Sequence, residues 1–351
     1  MSINSNLIQQ YLWQDAEIEL KYYASPIINS KIFNRLDSIS FLGILSPFYI
    51  NKLKNKDSKS DFYGGTRRDH SIGVAKIMLE ITKHLNLSEK AKTYGIAWGL
   101  VHDISTWPFS HTSEPAFQKI TNLSSRKLRE MIVEGSNELS SEFSLKNELI
   151  DMEIDLNILK KIYNKSNDIE LDINLEEKLK SELKIIKNII NSPITPDTLE
   201  GIWRTGKIFD VQVPEPEKIY SSFQKTTLFS NDGLIGIEGN KSKEILSFWR
   251  KKRDIYRKFI NKDSLIHFES NFASSLTIYL NNKKMSLNEL LKIKESDIIH
   301  ILDNLQIKRN NEIIKYKQPL TYSVSDKRLG VKGNFLLNDL NYILLKGALN
   351  V

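Results

Sequence analysis

Between residues 102 and 114 the chain reads HDISTWPFSHTSE. This sets His102 beside Asp103 and, past a Pro-Phe break, His111 three residues before Glu114. Imidazole nitrogens and carboxylate oxygens are the donors that hold divalent cations such as Mn, Fe, Zn or Ni. A histidine oriented by an acid also moves protons near neutral pH. The chain has six histidines in all. One of them, His70, lies in TRRDHSIGVAKIM, directly after Arg67, Arg68 and Asp69. Two arginines at the start of a helix form an anion site. Asp197, in SPITPDTLEG, stands at the start of another helix, where the dipole favours a carboxylate. Each residue also has an ordinary reading: His102 as a satisfied core histidine, Asp103 as a turn residue, Arg67 and Arg68 as a solvated cap, Asp197 as a plain N-cap.

The elements that must position these groups are mostly helical. From Asp69 onward Val74, Ile77, Met78, Ile81 and Leu85 follow the three/four spacing of a buried helix face. Ser88 reads as the N-cap of the next helix, whose apolar run Ile96 to Val101 delivers His102 and Asp103 at its C-terminal end. Neighbours on a regular helix point ~100° apart, so these two can converge only where the helix stops. The two prolines of NSPITPD predict an abrupt new helix at Asp197. An amphipathic lead-in ends near SPI, residues 31–50 are apolar at helical spacing, and long helices are expected in KSKEILSFWRKKRDIYRKFI and over roughly 286–305. Strand-like alternation is confined to GLIGIEGN and the last stretch. The fold expected is therefore mainly α, with a small irregular or β appendage at the C-terminus.

The 351 residues are 40% hydrophobic and 26% charged, an ordinary globular balance. No cysteine is present, which excludes disulfides and thiolate metal sites. The start carries no secretory pattern and no apolar run approaches the ~18–20 residues of a bilayer span, so a cytoplasmic protein with no membrane partner is expected. A net charge of +7 suits anionic ligands and leaves nucleic acid as a secondary expectation.

In order, FNRLDSISFLG, RRDHSIGVA, GLVHDISTWPFSHTSE and PDTLEGIWRTG resemble the HD-domain metal phosphohydrolases, and among them the dGTPase-like deoxynucleoside triphosphate triphosphohydrolases. The later GLIGIEGNKSKEILSFWRKKRDIYRKFI and LNELLKIKESDIIHIL are similar to that group's C-terminal helical part, so the resemblance covers about residues 30–305. It implies an HD-domain helical bundle with a C-terminal helical extension. A lead-in (1–30) would precede the HD core (31–210, with a charged helical insert near 145–192). The helical part (211–305) and the small appendage (306–351) would follow. His70, His102, Asp103 and Asp197 would hold one divalent ion, with Mn, Fe, Zn, Ni and Mg left open. Arg67 would contact phosphate, with Arg68 beside it, and His111 with Glu114 would be the acid–base pair. The substrate would be a phosphorylated small molecule, a nucleotide cleaved to nucleoside and triphosphate, and the protein a homo-oligomer.

Departures cluster where the substrate would sit. Phe41 replaces the group's Gln ahead of Leu42 and Gly43, and Thr106 replaces a second histidine found in one branch. Of the pattern Asp-x-x-Asp-Tyr-x-x-Arg-Asp, the chain has Asp197, Glu200, Gly201, Arg204 and Thr205. The Tyr and final Asp that recognise the sugar are thus missing. KLREMIVEGSNEL has Glu134 but no histidine. Phe41, Leu42, Gly201, Arg204 and Thr205 are the expected pocket residues, and sugar discrimination is weakened. Alternatives are another phosphate ester (a nucleoside monophosphate, a modified nucleotide or a phosphosugar) or a weakly catalytic nucleotide- or nucleic-acid-sensing module. A two-iron oxygenase needs further ligands, and His84, His267 and His300 read as helix-face residues instead.

Overall fold

The helix that carries His70 is started by a reciprocal cap. Thr66 Oγ1 accepts the Asp69 N–H at 3.2 Å, and the Asp69 carboxylate accepts the Thr66 N–H at 2.8 Å. This cap lies three residues ahead of the expected start at Asp69. The computed structural model describes residues 15–46, 65–163, 175–192, 194–225, 235–238, 242–260, 263–301 and 334–336.

Helix α1 (Ala16–Asn29) does not end at SPI. It kinks at Ala24 and Pro26 and continues to Asn29, burying Leu20, Ile27 and Ile28. Residues 31–45 form short turns of α and 3-10 helix rather than one helix. Helix α2 (Arg67–His84) buries Val74, Ile77, Met78 and Ile81. Helix α3 (Glu89–Val101) is capped by Ser88, whose hydroxyl accepts the Ala91 N–H. The two helices run antiparallel in close contact: a Cβ on Gly99 would lie 2.6 Å from the Ala75 Cα. That approach brings the start of α2, with His70, against the end of α3, with His102.

Helix α4 (Glu114–Thr121), α5 (Ser125–Glu134), α6 (Leu156–Tyr163) and α7 (Glu177–Asn191) follow. The charged segment near 145–192 is more than a solvated hairpin. Its α7 packs on α3 and buries Leu183, Ile186 and Ile189, and its buried Glu182 accepts the Ser88 N–H at 3.2 Å. The loop expected at NKSNDIELDIN lies outside the described residues.

Helix α8 (Pro196–Ile208) packs on α2. Its cap is Thr195, which accepts the Thr198 N–H at 2.9 Å, so Asp197 is not the cap and its carboxylate is free for other work. Helix α9 (Ser242–Ile255) runs into a π-helical turn, Tyr256–Ile260. Helix α10 (Asp263–Lys283), which the sequence reading did not single out, packs on α4. The helix expected over 286–305 is broken into Leu287–Lys292 and Glu295–Ile298. Strands β1 (Phe223–Lys225), β2 (Ile235–Glu238) and β3 (Asn334–Leu336) form a small antiparallel sheet, with Phe223 opposite Ile237 and Phe335 opposite Ile237 on the other side. Within the expected appendage, Asn334–Leu336 adds a third strand to a hairpin, and the rest of 306–351 lies outside the described residues. One continuous apolar core runs from α1 to Ile301. No helix among the described residues is long and apolar enough to cross a membrane.

Gly43 is required by its turn. Its φ is +57°, and a Cβ there would stand 2.2 Å from the Phe109 carbonyl oxygen. The 40–45 turn can therefore lie flat on the 107–112 turn.

Candidate metal centre and active site

His102 is the C-cap of α3, the point at which the helix lets go. Its Nδ1–H donates to the Gly99 carbonyl at 2.7 Å, which leaves Nε2 as a bare acceptor. At His70, Nδ1 is in short contact with the Glu200 carboxylate and Nε2 lies 3.1 Å from Asp197 Oδ1. The two Nε2 atoms stand 3.3 Å apart. A proton on His70 Nε2, or a cation between the nitrogens, keeps their lone pairs from opposing each other. Two imidazoles bound tetrahedrally to one ion at ~2.0–2.1 Å hold their nitrogens about 3.3–3.4 Å apart. Carboxylates complete the cluster. Asp197 Oδ1 is 3.1 Å from His70 Nε2 and 3.8 Å from His102 Nε2. Asp103 Oδ2 is 3.8 Å and 3.6 Å from the same two atoms. His70, His102 and Asp197 offer donor atoms all within 4.8 Å of one another. The residues present fit a divalent ion.

The surroundings are charged to match. Burial opposes a proton on His70, but Glu200 and Asp197 outweigh it and hold the imidazole up at about 9. A position that attracts a proton so strongly attracts a cation for the same reason. Burial would raise the Asp103 carboxyl, yet His102, Arg67 and His70 hold it well below the usual range. Glu200 is fully buried, and Arg204 and His70 hold its carboxyl down at about 2 against the cost of burial. Arg204 donates through Nε to Glu200 Oε1 at 2.8 Å. The line Arg204–Glu200–His70 thus fixes the tautomer of a candidate ligand.

Arg67 bridges this cluster to the neighbouring turn. Its Nη1 donates to Asp103 Oδ2 at 2.7 Å and its Nε to Ser110 Oγ at 2.9 Å. The turn is unusual, because Phe109 and Ser110 both take left-handed backbone, with φ of +64° and +52°. Such residues persist only when held from several sides. Here Glu295 Oε1 accepts the Phe109 N–H at 2.8 Å, and also the Ser40 N–H at 2.9 Å and the Ser40 hydroxyl at 2.8 Å. The turn presents His111, whose side chain is 79% exposed and whose Nδ1 is 3.3 Å from Glu114 Oε2. Gln118 Nε2 and Ser125 Oγ donate to the other oxygen of Glu114.

Behind the HD pair, Arg35 Nη2 donates to the carbonyls of Ile104 and Thr106 at 3.0 and 2.7 Å, and Arg129 Nη1 to that of His102 at 2.9 Å. Arg35 therefore serves as a positioning residue for the loop. Arg35→Met strands buried carbonyls, at a cost of about 1–3 kcal/mol each. A clear drop in Tm together with weaker metal retention is expected. An unchanged Tm would remove Arg35 from this role.

A cavity of about 350 Å³ opens beside the cluster. Of the pocket residues expected from sequence, Phe41, Leu42, Arg67, Gly201 and Thr205 line it, as do His111 and Asp197. Arg204 lies beneath, under the Phe41 ring and on Glu200. Arg68 points away, donating to Asn34 and Glu17 at 3.1 and 2.9 Å. Thr106 is tied to the loop and does not line the cavity. His84 bonds the Phe223 carbonyl, His300 lies against Tyr279, and the His267 side chain is outside the described residues. The sequence reading missed Lys252, Tyr256 and Glu269 in the wall, and Glu200 behind it. For Glu200 a signal existed, since Glu200 and Arg204 have the i,i+4 spacing of a helix ion pair. For Glu269 there was none.

Residues 67–189 match the HD domain family. The matched segment holds His70, His102 and Asp103 and stops short of Asp197. Over 96 residues the chain is 32% identical to an uncharacterised protein of Mycoplasma genitalium, a match spanning 26% of this chain and 20% of that protein. The fold is similar to that of a solved phosphohydrolase from Bacteroides thetaiotaomicron, with a TM-score of 0.53 and 17% identity over 81% of this chain and 65% of that one. The likeness is one of fold, an HD-domain helical bundle.

Proposed function

We propose that the protein is a metal-dependent phosphohydrolase acting on a nucleotide, in the manner of the dGTPase-like triphosphohydrolases. The observation that carries this reading is the pair of Nε2 atoms of His70 and His102, 3.3 Å apart and flanked by Asp103 and Asp197, at the edge of a cavity lined by Arg67 and Lys252. A divalent ion held there would lower the pKa of a water and polarise a phosphoryl oxygen. The chain's own groups supply the rest. Arg67, fixed between Asp103 and Ser110, and Lys252 place positive charge on the phosphate wall. His111, oriented through Nδ1 by Glu114, holds or gives a proton at Nε2 toward the leaving oxygen. A homo-oligomer belongs to the same reading and is checked by analytical ultracentrifugation.

One observation favours another phosphate ester as substrate. Gly201 offers no side chain to the cavity, and the Thr205 hydroxyl is spent on the Gly201 carbonyl at 2.6 Å. The deciding experiment incubates manganese-loaded protein with the four dNTPs, the four NTPs and a set of phosphate monoesters, and resolves the products. Nucleoside plus triphosphate is the expected result. Release of phosphate from monoesters alone would keep the hydrolase and replace the substrate. No product from any of them would overturn the reading.

Lys252 gives this reading a pH signature. Burial lowers its ammonium to about 8, with Asp197 pulling the other way. The charge is present below that pH and lost above it. KM for a phosphorylated substrate should therefore climb as pH rises past about 8, and the climb should be absent in Lys252→Met. The same climb in both proteins would exclude Lys252 as its source.

A further inference from the structure

The cavity wall carries charges of both signs. Arg67, Lys252 and the candidate metal ligand Asp197 line it. So does Glu269, brought in beside the 110–112 turn by α10, which packs across α4. Thr112 Oγ1 donates to Glu269 Oε1 at 2.8 Å, and among the described residues that is the one hydrogen bond this carboxylate receives. Its second oxygen is left for whatever enters. Burial pushes the carboxyl up, while Thr112 and His111 pull it back. A carboxylate in the wall repels phosphate, so the phosphates of a bound substrate lie toward Arg67 and Lys252 and leave Glu269 to its other half. Leu42, Leu45, Ile202 and Ile260 give the cavity an apolar lining. An acceptor-only group in such a lining is costly unless a donor meets it.

Resting on the phosphohydrolase reading above, we propose that Glu269 is the specificity residue of this cavity, receiving a hydroxyl or N–H donor from the nucleoside half of the substrate. This recognition comes from α10, and replaces there what α8 lacks. A site that hydrogen-bonds a substrate donor discriminates strongly against analogues without it, because its own polar group is left unpaired.

The test resolves all products, thymidine and p-nitrophenol alike, from two diesters, thymidine 5′-(p-nitrophenyl) phosphate and bis(p-nitrophenyl) phosphate, on manganese-loaded full-length protein. In Glu269→Ala, kcat/KM on the thymidine ester should fall at least about tenfold, with activity on the donor-free ester within about threefold of the parent. Glu269→Gln, which keeps the shape and one acceptor oxygen, should lie between and guards against a variant that does not fold. An equal loss on both esters would mark Glu269 as structural, and no loss on either would remove it from recognition. If the parent cleaves neither ester, the phosphohydrolase reading still stands or falls on the nucleotide and monoester assay above. Calorimetry with thymidine and deoxyadenosine then decides the role of Glu269. Weaker nucleoside binding in the variants supports it, whereas equal binding, or none to the parent, overturns it.

Discussion

Loaded with manganese and dialysed, His102→Ala protein should lose most of its metal and at least about a thousandfold in turnover, roughly 4 kcal/mol of barrier. The imidazole is not a loose surface group. Its Nδ1–H is spent on Gly99, its ring stacks on Trp98 at 5.6 Å, and its Nε2 meets that of His70 at 3.3 Å. Truncation removes one of the two nitrogens and leaves His70, Asp103 and Asp197 without a converging partner. The fold should survive, because α3 is held by its apolar face and by the Gly99–Ala75 contact. Circular dichroism checks that point, and metal analysis by mass spectrometry reads the loss. His300→Ala, at an exposed position against Tyr279, is the control and should behave as the parent. Full metal content and turnover in His102→Ala would end the assignment of this cluster.

Glu200→Ala should be the most damaging single change to stability. Glu200 is the shared partner of two buried groups, Arg204 and His70. Removing one member of a buried pair strands the other and costs about 3–5 kcal/mol. Removing the acid behind a ligating histidine lowers metal affinity by about 10–100-fold. The two effects are separable: denaturant unfolding of the metal-free protein reads the first, and metal titration under native conditions reads the second. The pH dependence carries a further signature. The folded carboxyl sits at about 2 against an ordinary value of 4.5. Its stabilising contribution is therefore full above pH 4.5 and is lost as pH falls through that range toward 2. Glu200→Ala should lack this part of the acid transition. Unfolding midpoints that match the parent at both pH 4 and pH 7 would overturn the argument.

Both residues lie close to what the sequence displays, and comparing them shows where sequence reading succeeds. The apolar spacing of Val74, Ile77, Met78 and Ile81 is a local property of one helix, so α2 was legible, as was the Ser88 cap of α3. The end of α3 at His102 was legible because the pattern fails at Ser105–Thr106. The helix start expected at Asp197 was misjudged by one residue. Thr195 and Asp197 are both good caps, and only the fold shows that Thr195 takes the role and leaves Asp197 facing His70. Arg67 and Arg68 are indistinguishable as letters. Thr66 sets the helix phase, which turns Arg67 onto Asp103 and Arg68 outward to Glu17. Lys252, Tyr256 and Glu269 reach the cavity from helices far along the chain. Nothing local announces a wall built from that distance, and the charge-rich α9 reads the same whichever face is turned inward.

Glu295 has a consequence for how the protein comes into being. One of its oxygens pins both Ser40 and the strained Phe109 N–H, across sequence separations of 255 and 186 residues. The segment that matches the HD domain ends at 189. On the ribosome, the candidate metal ligands within that segment would emerge and pack long before the residue that locks the turn presenting His111. Contacts this distant in sequence form late because loop closure must precede them. A nascent chain could therefore gather its ligands early yet stay without an ordered His111 turn until the last helices had been made.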